Sequence, residues 1–351
     1  MRGRQLLLLA ATAAATVVTG VLHYATSADV ATFVVAAVAL AGLAWVVSVG
    51  TESVGARFGA AATGVLQSTL GNLPELFIVL FALNAGETLV AQTSILGSLF
   101  ANGLLVLGLT IVAGAREAPD GVMRFGRRLP NDTAVLSLLA AFLIVVLGVS
   151  DRLGDRASRH SVAISVIGAV VLLAIYGAWL ASYLRSGAAS ESALEESPHH
   201  APFAQALVLL ALAGVGAAFV SDWFVSALDP AVRQLGISKA FTGLVIVGIA
   251  GNAVENVVGV TLASKGHSDL AVSVVKNSVA QILAFLFPAL VLLSLFFSTR
   301  LTFVVNPVLA VAVALSAIAV WAISGDGEAP AFEGLALAGF YAILAAVVWF
   351  E

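Results

Sequence analysis

The chain has 351 residues, 60% of them hydrophobic and 10% charged, and its mean hydropathy is +1.06. That balance excludes an ordinary soluble domain, because apolar stretches long enough to cross hydrocarbon recur along nearly the whole sequence. The absence of cysteine excludes disulfides, thiolate metal sites and thiol nucleophiles, and a formal net charge of −4 gives no basis for nucleic-acid binding.

A membrane helix needs about 20 apolar residues at 1.5 Å each. On that rule residues 5–25 form a first helix behind Arg2 and Arg4, with no small-residue cleavage site that would make it a signal peptide. Further spans are predicted at about 30–49, 58–85, 89–113, 133–150, 161–184, 203–226, 238–263, 269–297, 302–324 and 331–350, giving eleven. Charges cluster between them, at Arg116 to Arg128, Asp151 to Arg159, Glu191 to Glu196 and Asp326 to Glu328. The chain therefore reads as an all-α polytopic membrane protein. A cytoplasmic N-terminus places Arg2, Arg4, Arg57, Arg116, Arg124, Arg127, Arg128, Arg185 and Lys265 inside, nine cations against six outside, as the positive-inside bias prefers.

The third and eighth spans carry the same polar cluster, Gly71-Asn72-Leu73-Pro74-Glu75 and Gly251-Asn252-Ala253-Val254-Glu255, 180 positions apart. The same shift lays Ser98 on Ser278 in the following spans, so one register serves two consecutive helices. After the first helix (1–28), residues 29–185 form one unit of five spans and 203–351 another, joined by the acidic linker 186–202. An odd number of spans turns the second unit upside down, the inverted-repeat plan of secondary transporters, whose sites lie at mid-membrane on interrupted helices. Gly71 and Pro74 predict such an interruption in the third span. Val254 stands where the second proline would be, so a softer break is expected there.

Asn72 and Glu75, like Asn252 and Glu255, are three residues apart and share a helix face. Two carboxylates, two amides and the backbone carbonyls loosened at Gly71 and Gly251 make the all-oxygen, flexible shell that Ca²⁺ prefers. His23, His160, His199, His200 and His267 lie in loops or near span ends, which argues against a zinc- or copper-type centre. Two like charges buried side by side cannot both stay ionised in an empty site, so protons and metal displace one another. Ser94, Ser98 and Asn102 form a polar stripe on the next span, and Asn277, Ser278 and Gln281 form another in the second half. Such stripes also serve as plain helix-packing contacts, a reading that applies most to Ser94 and Asn277.

These residues resemble the cation/Ca²⁺ exchanger superfamily, and its calcium/proton antiporter branch in particular, over essentially the full length. The resemblance implies eleven helices, one plus two inverted fives, and exchange of Ca²⁺ for H⁺ without a cofactor or enzymatic step. It makes Glu75 and Glu255 the central cation-binding and proton-exchanging carboxylates, with Asn72, Asn252, Ser98, Ser278 and Gln281 near them. Three departures stand out. Asn256 occupies the place where the branch usually has a histidine, Leu73-Pro74 is closer to sodium-coupled relatives, and Lys276 replaces an uncharged residue. Lys276 lies roughly 140° around its helix from Gln281, so the expectation is that it snorkels back toward Asp269 at the span end.

The resulting reading is an antiporter in the cell membrane with Ca²⁺ and protons as its partners. Na⁺-driven exchange or a non-transporting family member is the alternative. A channel could use the same carboxylates as a selectivity ring, and Gly325-Asp326 resembles faintly the Gly-Asp of aspartyl intramembrane proteases. That aspartate, however, lies in a polar loop beside Gly327 and Glu328, without an intramembrane partner in the sequence.

Overall fold

The computed structural model describes residues 3–55, 70–185 and 203–350. The first part of the third expected span lies outside these residues, as does the linker with Glu191, Glu195, Glu196, His199 and His200. The described chain is almost entirely helical: α1 (Gly3–Ala25), α2 (Asp29–Gly55), α3 (Leu73–Asn84), α4 (Thr88–Glu117), α5 (Arg128–Leu153), α6 (Ser161–Arg185), α7 (Phe203–Leu235), α8 (Lys239–Gly251), α9 (Ala253–Ala263), α10 (Ser268–Phe296), α11 (Pro307–Ser324) and α12 (Ala331–Trp349). Among the described residues nine helices are long and apolar enough to cross a membrane, or ten if the bent pair α8 and α9 is one span. The polytopic helical reading holds, and α3 is the described part of the third span.

Helices alternate between two ends of the bundle. At one end β1 (Val122–Arg124) pairs antiparallel with β2 (Glu328–Pro330), and Gly126 N–H donates to Asp269 Oδ1 at 2.6 Å. At the other, Lys239 Nζ lies 2.8 Å from Glu87 Oε2, and Ser238 Oγ donates to the Val348 carbonyl at 2.6 Å. α4 and α12 each run from one group to the other, so their backbone polar groups are satisfied within helices where lipid offers no partner. The exposed surface is accordingly apolar, with Phe142, Leu212, Val215, Leu315 and Ile343 each more than half exposed.

Three elements depart from the hydropathy reading. The span expected from 302 begins at Pro307, because residues 301–305 are not helical and are held by side chains from the first half. Gln92 Nε2 donates to the Thr302 and Val304 carbonyls at 3.3 and 2.7 Å, and Phe303 N–H donates to Ser165 Oγ at 3.1 Å. The helix expected to stop at 226 continues through Pro230 to Leu235, where Asp229 and Arg233 emerge from the apolar core. Loops at 122–124 and 328–330 form a small ribbon whose inward residues, Met123 and Ala329, are fully buried.

Small residues bring the motif-bearing helices together, as is usual where lipid removes the hydrophobic drive for association. α4 crosses α8 so tightly that a Cβ on Gly248 would sit 2.5 Å from the Gly97 carbonyl carbon. Ser98, the next residue of α4, is fully buried beside this crossing. The turns before α4 and α10 match at the 180-residue shift: Gly86 has φ +81° and Gly266 φ +79°, the left-handed conformation that glycine adopts without steric cost.

Candidate cation site

Both motifs sit at helix breaks. Asn72 (φ −91°, ψ 15°) and Asn252 (φ −108°, ψ 21°) leave helical geometry in the same way, and α3 and α9 start immediately after them. Pro74 opens a helix rather than interrupting one. It occupies the first turn of α3, where its missing N–H is no loss. The second break does not need a proline: α8 and α9 meet at 58°. The softer break expected from Val254 is thus a pronounced bend, produced at Gly251 and Asn252 themselves.

Glu75 and Glu255 fall in the first turns of α3 and α9, where the positive helix end favours a carboxylate. Glu75 is 1% exposed, whereas Glu255 is partly open. Glu75 lies beside Ser98 and close enough to Glu255 for their charges to interact. Asn102, fully buried on α4, donates from Nδ2 to Asn252 Oδ1 at 2.6 Å and to Ser278 Oγ at 2.9 Å. One amide thereby joins the second motif to the helix that follows it. Asn72 is buried at the first break, and Gln281 stands half-buried one turn beyond Ser278. Gly71 and Gly251 flank the breaks, and a Cβ on Gly251 would meet nothing within 4 Å, so open space borders it.

Among the described residues ten buried side-chain polar atoms lack a hydrogen-bond partner, and six of them belong to this region: both Glu75 oxygens, Ser98 Oγ, Asn102 Oδ1, Asn256 Oδ1 and Asn277 Oδ1. Each unsatisfied buried acceptor costs about 1–3 kcal/mol. A group of them is tolerable where a cation or protons satisfy them in turn. The oxygens are hard donors, with no sulfur or imidazole among them, and no group of three or more His, Cys, Asp or Glu occurs among the described residues. Two carboxylates supplemented by amides and hydroxyls suit a weakly held, exchangeable Ca²⁺ better than a resident transition metal.

Some assignments shift. Ser94 Oγ donates to the Val90 carbonyl of its own helix at 2.7 Å, which is the packing role. Carbonyls exposed by the second break are partly occupied, since Asn252 Nδ2 donates to Gly248 O at 2.8 Å and Asn256 Nδ2 to Ile249 O at 3.3 Å. Lys276 does not snorkel. It is 1% exposed and makes no ion pair among the described residues, while Asp269, its expected partner, accepts from Gly126 instead. The helix-angle argument correctly kept Lys276 from contact with Glu75 and Glu255, but placed its head at the wrong depth.

Three contacts escaped the sequence reading: Asn256 to Ile249, Gln92 to residues 302–304, and Ser221 Oγ to the Pro74 carbonyl at 3.5 Å. Each is a polar residue within or beside an apolar run, which is the signal that marks such positions.

Broken helices that bring carboxylates into the core of an all-helical membrane bundle define the class, an integral multi-pass ion transporter. The sodium/calcium exchanger protein family model matches residues 28–184 and 205–350. The Ca(2+)/H(+) antiporter ChaA of Bacillus subtilis (strain 168) is 31% identical over 97% of this chain and 97% of its own length. The Ca(2+)/H(+) antiporter of Synechocystis sp. is 29% identical over 94% and 93%. The structure of native YfkE superposes with a TM-score of 0.79 at 29% identity, covering 99% of each chain. The chain belongs to the sodium/calcium exchanger family.

Proposed function

We propose that this protein is a secondary active antiporter that moves Ca²⁺ out of the cytoplasm against protons. Within its family the chain falls on the calcium/proton antiporter branch, whose members are transporters rather than enzymes. The observation that carries the site is the set of partnerless buried oxygens, Glu75 Oε1 and Oε2, Ser98 Oγ and Asn102 Oδ1, gathered where two helices break. Glu75 and Glu255 alternately hold Ca²⁺ and protons. Asn72, Asn252, Ser98, Ser278, Asn102 and Gln281 supply or orient neutral oxygens, and Gly71 and Gly251 leave room for the ion.

Eleven spans, one plus two inverted fives with 29–185 and 203–351 as the repeats, accord with the matched turns at Gly86 and Gly266 and the matched breaks at Asn72 and Asn252. In this reading the first helix covers residues 1–28, the linker 186–202, the N-terminus is cytoplasmic and the cell membrane is the location.

The test is reconstitution into liposomes with Ca²⁺ uptake followed under an imposed proton gradient, then under a sodium gradient. Uptake driven by protons is expected, and Glu75→Gln or Glu255→Gln abolishes it. Uptake driven by sodium alone would reassign the coupling ion, no uptake under either gradient would overturn calcium exchange, and unimpaired glutamine variants would overturn the site.

A further inference from the structure

We propose that Asn256 is an additional ligand of the transported cation, and that its neutral amide oxygen sets which divalent ion the site prefers. The inference deepens the site reading above and rests on it.

Asn256 directly follows Glu255 on α9, about 100° further around the helix axis, and its N–H donates to the carbonyl of Asn252 at the break at 3.0 Å. Asn252 and Glu255 are the second-motif residues, and Asn256 adjoins both. Its amide is oriented by the chain itself. Nδ2 donates to the Ile249 carbonyl at 3.3 Å, reaching back across the break, which fixes the opposite edge of the amide as the free one. That free oxygen, Oδ1, is buried and has no hydrogen-bond donor among the described residues. Asn252 shows what the same arrangement does when satisfied: its Nδ2 is spent on Gly248 O, and its Oδ1 accepts from Asn102. Asn256 repeats the first half of that pattern and leaves the second half open.

The feature is one-sided. At the shift of 180 residues the first half has Leu76, which offers no oxygen. An amide oxygen is a hard acceptor that carries no charge and takes up no proton. It therefore raises the number of oxygens around the ion without altering how many protons the two carboxylates can trade. Ca²⁺ accepts six to eight oxygens at flexible distances, whereas smaller divalent ions demand fewer and shorter contacts. An extra neutral oxygen on one wall thus favours Ca²⁺ over Mg²⁺ and Mn²⁺.

The test uses the full chain in proteoliposomes, with uptake of radioactive Ca²⁺ competed by Mn²⁺ and Mg²⁺. Asn256→Leu, which copies the first half, is expected to raise the Ca²⁺ concentration for half-maximal uptake about tenfold, as one oxygen is lost from a shell of six to eight. Mn²⁺ should compete better against it than against the parent chain. Asn256→Gln keeps a neutral amide oxygen and should stay closer to the parent preference for Ca²⁺ over Mn²⁺ than Asn256→Leu does. A purely structural asparagine would lower the amount of folded protein while leaving that preference unchanged. Parent-like half-saturation and parent-like competition in Asn256→Leu would overturn the proposal, as would a Ca²⁺ preference in Asn256→Gln no better than that in Asn256→Leu. Glu255→Gln in the same vesicles separates the two levels. If it still exchanges Ca²⁺, the site reading fails; if it is inactive while Asn256→Leu is unaltered, only the Asn256 assignment fails.

Discussion

Asn102 and Asn252, 150 residues apart, meet through an Nδ2 to Oδ1 hydrogen bond of 2.6 Å in a fully buried setting. The bond joins a helix of the first half to the break of the second. Asn102 also donates to Ser278, so both of its N–H groups are spent and its own oxygen is the atom left over. A side chain that holds two neighbours by its donors and presents its acceptor is well suited to orienting oxygens around an ion.

Replacing Asn102 by Leu should therefore damage both stability and transport. Asn252 Oδ1 and Ser278 Oγ lose their common donor, a cost of about 1–3 kcal/mol for a buried acceptor left unpaired. Thermal unfolding of the purified protein in detergent should show a lower midpoint, and the Ca²⁺ concentration for half-maximal uptake should rise. A variant as stable and as active as the parent would remove Asn102 from the site.

Much of this arrangement is readable from the sequence, for physical reasons that also explain what is not. Hydropathy reports whether a segment faces lipid or water, so the helices emerge clearly and the paired Gly-Asn-x-x-Glu clusters stand out against them. It does not report which polar groups meet. Residues 301–305 are as apolar as a helix, and the bonds from Gln92 and Ser165, in the first part of the chain, show why they are not helical. The ribbon at Met123 and Ala329 is too short for an alternating pattern to identify. Helix angles placed Lys276 away from the glutamates, but angle alone carries no information on depth or on the prior engagement of Asp269 with Gly126.

Lys276→Met should stabilise the protein. The lysine is 1% exposed and has no carboxylate within ion-pair distance among the described residues, so its ammonium gives up hydration without recovering a partner. Methionine keeps an apolar stem of similar length and removes the group whose burial is uncompensated. A higher unfolding midpoint in detergent is the expected result. A lower midpoint would show that Lys276 has a compensating interaction, and that the cost assigned to it is wrong.

Asp155, in the loop between α5 and α6 and outside the spans, gives a pH-dependent effect of known sign. The Ser150 hydroxyl, then the Ser158 N–H, hold its carboxyl below the ordinary aspartate range. A carboxylate whose folded-state value is depressed contributes stability that is complete above the unfolded value, near 4, and disappears as the pH falls through the folded one. Unfolding midpoints of the parent chain and Asp155→Asn should differ by a constant amount at neutral pH and converge below about pH 4. A gap that instead widened on acidification would contradict these hydrogen bonds.

The cluster around Lys239 should show unequal mutational costs. Nζ lies 2.8 Å from both oxygens of Glu87 and 2.6 Å from Asp229 Oδ1, so one ammonium serves a carboxylate in the turn before α4 and another on α7. Removing Glu87 leaves Lys239 paired with Asp229. Removing Lys239 leaves two carboxylates facing each other with, among the described residues, only Arg233, 3.8 Å from Asp229, to offset them. Lys239→Met should thus destabilise more than Glu87→Gln. These side chains are 22–38% exposed, so solvent screening limits each pair to a fraction of its buried strength. A double-mutant cycle in unfolding experiments should return a coupling of about 0.5–1 kcal/mol that shrinks with added salt. Additive single substitutions would mean that the short distances carry no net energy, and that the turn before α4 is held by its backbone alone.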